Sequence, residues 1–93
     1  MQSLRHALAN YIESLEAGSS RTHRAEERGL YQQHLAVAAL MFVAIENQTS
    51  IAKVRELVAS ERRSYGWSFL EGPEGKAVET AFNEFAKLVE NAT

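Results

Sequence analysis

The chain has 93 residues, 45% of them hydrophobic and 24% charged, with a net charge of −2 and no cysteine. This is the make-up of one folded domain rather than a disordered segment. It excludes disulfides, thiol catalysis, thiolate zinc sites and cysteine-held clusters, and its near-neutral balance gives no global field to draw in nucleic acid or an anionic membrane.

The first helix is expected over residues 3–17. Ser3 can accept from an unpaired N–H of the first turn, and Leu4, Ala7, Leu8, Tyr11, Ile12 and Leu15 recur at the spacing of one buried stripe. Gly18 reads as the helix stop, and the short Gly18-Ser19-Ser20 turn favours an antiparallel return. This opening segment lacks the uninterrupted apolar core of a secretory signal, so a cytoplasmic protein is expected.

The second helix is expected over residues 22–47, capped by Thr22 or Ser20. Its start, HRAEER, is charged on most sides, and Gly29 is a weak point costing about 1 kcal/mol relative to alanine. Glu27, Leu30, His34, Val37, Met41 and Ile45 keep to one face across that glycine, which favours a continuous helix. From residue 35 to residue 45 every side chain is apolar. A helix apolar on all sides must be enclosed, yet this run is too short to span a membrane, which takes about 20 residues. The sequence therefore predicts that it is covered on its far side by another chain.

Thr49 or Ser50 is positioned to cap a third helix over residues 50–70, with Ile51, Val54, Leu57 and Val58 inward. Tyr65-Gly66 offers an earlier stop. Gly72-Pro73 is the clearest punctuation, since proline suits a helix's first turn. The fourth helix, residues 73–91, carries Val78, Ala81, Phe82, Phe85, Leu88 and Val89 on one stripe, with charges on the other side. No strand pattern, repeat or low-complexity tract occurs. The expected fold is all-α: an antiparallel four-helix bundle with short loops, one domain over residues 1–93, and the apolar second helix at its centre.

Residues that could carry chemistry are few. His23, Glu27 and His34 share a face, but Glu27 and His34 lie about 10 Å apart along the axis, too far for one ion. Paired Glu-x-x-His sets from facing helices are absent, so no metal is expected, nor any other cofactor. Gly72-Pro73-Glu74-Gly75-Lys76 lacks the spacing and preceding strand of a phosphate loop. No serine stands in a nucleophile elbow, and no enzyme activity is expected. Arg21, Arg24 and Arg28, and Arg62-Arg63 ahead of Tyr65, Trp67 and Phe69, could meet nucleic acid through charge and stacking. Interspersed glutamates dilute both groups, so nucleic acid is not the expected partner.

Residues 60–75 gather the only proline together with the only tryptophan, a tyrosine and two adjacent arginines, and Trp, Tyr and Arg are the residue types that dominate interface energetics. The sequence thus predicts a protein–protein interaction module that self-associates, as a homodimer, through the second helix, with a further protein partner possible. Its candidate contact residues are Leu40, Val43, Arg62, Arg63, Tyr65, Trp67 and Phe69. The alternative is a small-ligand-binding regulator with a polar pocket at His34 and Glu27, near Arg62, Tyr65 and Trp67.

Overall fold

A computed structural model describes residues 2–47, 51–64 and 72–92. Its four helices are α1 (Gln2–Arg21), α2 (Ala25–Glu46), α3 (Ile51–Ser64) and α4 (Gly72–Asn91). They form an antiparallel bundle 39 Å long and about 20 Å across. α1 packs against α2 and α4, and α3 closes the ring by packing on both. No described helix is long and apolar enough to cross a membrane.

The core follows from the helical stripes. α1 contributes Leu4, Leu8, Tyr11 and Leu15, α2 contributes Tyr31, Ala38, Met41 and Ile45, α3 contributes Val54 and Val58, and α4 contributes Val78, Phe82, Phe85 and Val89. The Tyr11 and Phe82 rings meet at 5.3 Å and 58°, the tilted geometry that aromatic quadrupoles prefer. Two contacts at opposite ends fix the α1/α2 register. Arg5 Nε lies 2.7 Å from Glu46 Oε1, and Gln32 Nε2 donates to Ser19 Oγ at 3.1 Å. The Arg5 pair is solvated, so its contribution is at most about 1 kcal/mol. It also places a cation beside a glutamate that sits unfavourably at the negative end of α2.

Gly18 does not stop α1, which continues through Ser19 and Ser20 to Arg21. A Cβ built on Gly18 would come within 2.4 Å of the Tyr31 ring. The glycine is there because α2 lays a buried tyrosine against the α1 backbone, and the whole turn is left to residues 22–24. Gly18→Ala is expected to lower stability by about 1–3 kcal/mol, as overpacking does, because the buried Tyr31 ring must shift to admit the methyl group. Denaturant melts showing an unchanged midpoint would contradict that packing.

The start of α2 also differs from expectation. Arg24, extended at φ −96° and ψ 122°, occupies the N-cap without a side-chain bond. The Thr22 hydroxyl accepts from the Arg24 N–H instead, and Arg28 donates to the Thr22 carbonyl at 3.1 Å. Glu26 and Glu27 in the first turn complement the positive helix end. α2 runs unbroken through Gly29, as the face argument predicts. Nothing lies within 4 Å of a Cβ placed on Gly29, so Gly29→Ala is expected to stabilise by about 0.5–1 kcal/mol. A thermal melt should show this as a rise of roughly 3–6 °C.

Within one chain residues 35–45 are enclosed on one side only, and the far side, for which the sequence predicts another chain, is open. α2 has two principal neighbours, α1 and α3, and two neighbours cover only the facing half of a helix. Ala38, Met41, Ala44 and Ile45 are buried, Leu35 and Val37 are half-buried, and Ala36, Ala39, Leu40, Phe42 and Val43 stay exposed. The end of the third helix expected between Tyr65 and Leu70, and its caps Thr49 and Ser50, lie outside the described residues.

Candidate functional site

Two features stand apart from an ordinary small bundle: a buried polar cluster and an open apolar face, both anchored on α2.

The cluster joins three helices. Val54, Val58 and Glu61 recur at four and three residues on α3, so Glu61 occupies the next position of a buried stripe and is only 4% exposed. His34 holds the same place on α2, at 5%, and Tyr11 on α1, at 0%. The three stripes converge. His34 Nδ1 lies 2.5 Å from Glu61 Oε2, and the Tyr11 hydroxyl donates to that same oxygen at 3.3 Å. With the carboxylate accepting, Nδ1 is the ring nitrogen that carries the proton. No buried side-chain nitrogen or oxygen among the described residues is left without a partner. A network satisfied in this way fixes the relative depth of α1, α2 and α3, because sliding any one of them strands a polar group in the core.

The described residues of the polar-pocket expectation do not come together. His34 lies in the interior, held by Glu61, and lines none of the grooves described below. Glu27 lies two turns earlier on α2, half-buried, 3.7 Å from Arg24. Arg62 is exposed and reaches Glu90 of α4 at 3.2 Å, and Arg63 is exposed. Tyr65, Trp67 and Phe69 lie outside the described residues. No group of three metal-ligating side chains occurs among the described residues. Glu61 is not among the candidate residues drawn from the sequence. The spacing 54, 58, 61 was the signal that could have found it.

The open face lies on the opposite side of α2. Leu40 is 59% exposed, Val43 53% and Phe42 38%, and Ala36 and Ala39 are exposed beside them. Between Arg28 and Glu46 the helix carries no Asp, Glu, Lys or Arg. The outer faces of the other helices are charged: Arg5, Glu13 and Glu16 on α1, Lys53, Arg55 and Glu56 on α3, Lys76, Glu79, Glu84 and Lys87 on α4. Phe42 borders a shallow groove of about 680 Å³ whose α1 side is formed by Ser3, Arg5, His6 and Ala9, a mostly polar edge. A contiguous apolar patch with a polar rim is the signature of an interaction surface.

A second groove, of about 360 Å³, runs between α3 and α4 past Arg55, Val58, Arg62 and Val89. Its cations are engaged within the fold. Arg55 donates to the Val89 carbonyl at 3.4 Å and to the Ala92 carbonyl, capping the last turn of α4, and Arg62 is held by Glu90. The chain matches no family model, no curated protein and no solved structure with which it was compared.

Proposed function

We propose that the chain is a protein–protein contact module whose primary partner is a second copy of itself, bound through the outer face of α2. The observation that carries this reading is Leu40 and Val43, both more than half exposed on a helix face that lacks charge from Arg28 to Glu46. Leu40 and Val43, each a little over half exposed, forgo about 1 kcal/mol each of burial energy while they face water. A two-fold dimer uses the same patch twice and so covers both copies at once. A cytoplasmic setting belongs to this reading, since a cysteine-free chain suits a reducing compartment. Light scattering at low micromolar concentration tests the proposal. A mass of twice 10.4 kDa is expected, and 10.4 kDa at every concentration would remove it.

A further inference from the structure

The exposed face of α2 has an order that selects one mode of pairing. Gly29, Gln33, Ala36, Leu40, Val43 and Asn47 are all exposed and follow one another at steps of four, three, four, three and four. That alternation is the 3.5-residue period of a two-helix seam. Gly29, Ala36 and Val43 form one row of the seam, and Gln33, Leu40 and Asn47 the other. When two such helices run parallel, each residue meets its own copy. Leu40 would face Leu40 and Ala36 would face Ala36, a wide layer next to a narrow one. When they run antiparallel, the two-fold axis brings a residue of one row level with a residue of the other. The register centred on residue 38 uses all six positions: Leu40 meets Ala36, Val43 meets Gln33 and Asn47 meets Gly29. Each bulkier side chain then lies opposite a smaller or more flexible one, and the two axes can keep a constant separation. Ala39, exposed beside the centre, lets the backbones approach closely.

Resting on the self-association reading above, we infer that two copies pair α2 against α2 antiparallel, about a two-fold axis between Ala36 and Leu40. The paired strip is about 27 Å long at 1.5 Å per residue, and half the surface of a helix about 10 Å in diameter gives roughly 420 Å² per copy. The two copies together then bury roughly 840 Å², the scale of a weak, reversible interface. Opposed helix dipoles favour the same orientation.

The absence of cysteine makes the test clean. Gly29→Cys tolerates its side chain, since nothing lies within 4 Å of the added Cβ, and Asn47→Cys is exposed. Neither change removes Leu40 or Val43. In the antiparallel pair, residue 29 of one copy lies beside residue 47 of the other, whereas two copies of residue 29 are about 27 Å apart, beyond the ~7 Å Cα separation that a disulfide spans. Mild oxidation of the two single variants mixed together is expected to give a covalent dimer on a non-reducing gel. Each variant alone is expected to link at least about tenfold more slowly, as is the mixture carrying Leu40→Glu in both chains. A dimer by light scattering whose single variants link to themselves, or whose mixture links no faster than the Leu40→Glu control, would overturn the antiparallel register and leave self-association standing. A monomer by light scattering would overturn both.

Discussion

Replacing His34 with leucine is expected to destabilise the bundle by about 3 kcal/mol, a large part of the 5–10 kcal/mol typical of a domain this size. The cost comes from what stays behind. Glu61 would remain 4% exposed, with the Tyr11 hydroxyl at 3.3 Å as its partner from α1 and its closest donor removed. A buried acceptor that loses its partner bears its own desolvation. In a thermal melt the loss corresponds to a fall of roughly 12–20 °C. Glu61→Leu alone is expected to cost less, about 1–3 kcal/mol, because it removes one acceptor shared by two donors and leaves no buried carboxylate. The His34→Leu, Glu61→Leu double variant is expected to recover at least about 1 kcal/mol relative to the sum of the two, the sign of a directly coupled pair. Strict additivity would contradict the network.

Leu40→Glu is expected to have the opposite profile: a large effect on association and almost none on the folded monomer. Leu40 is exposed on the bundle, and leucine and glutamate have similar helix propensities. Monomer stability should therefore change by no more than about 0.5 kcal/mol. In a symmetric dimer the substitution enters twice, setting two carboxylates into an apolar strip near the axis. Desolvation and like-charge repulsion there are expected to weaken pairing at least about 100-fold. Val43→Glu should act in the same direction. Because dimerisation itself raises the apparent melting temperature by mass action, the comparison of folded stability belongs at concentrations where both proteins are monomeric. Loss of the fold in Leu40→Glu would place Leu40 in the core instead.

The difference between these two variants follows the difference between what was legible in the chain and what was not. The start of α4 at Gly72 and most of its stripe were readable because periodicity and punctuation agreed there, although Leu88 of that stripe stands exposed. Gly18 misled because a glycine that ends a helix and one that receives a neighbouring ring look alike until Tyr31 is placed against it. The run at residues 35–45 was legible only in part. Apolar residues on all sides of a helix say that it is buried but not by what, and two neighbouring helices cover only half. Glu61 was hidden by its type, although its spacing from Val54 and Val58 put it inside. The contact residues Leu40 and Val43 came from the apolar run itself and stand on the open face. Arg62 is instead committed to Glu90.

Sedimentation equilibrium of the native sequence beside Leu40→Glu, over about 1–100 µM, bears most directly on self-association through α2. The native chain is expected to follow a monomer–dimer isotherm rising from 10.4 kDa to twice that mass, with Leu40→Glu remaining at 10.4 kDa and fully helical by circular dichroism. Two superimposable curves, whether both monomeric or both dimeric, would contradict it.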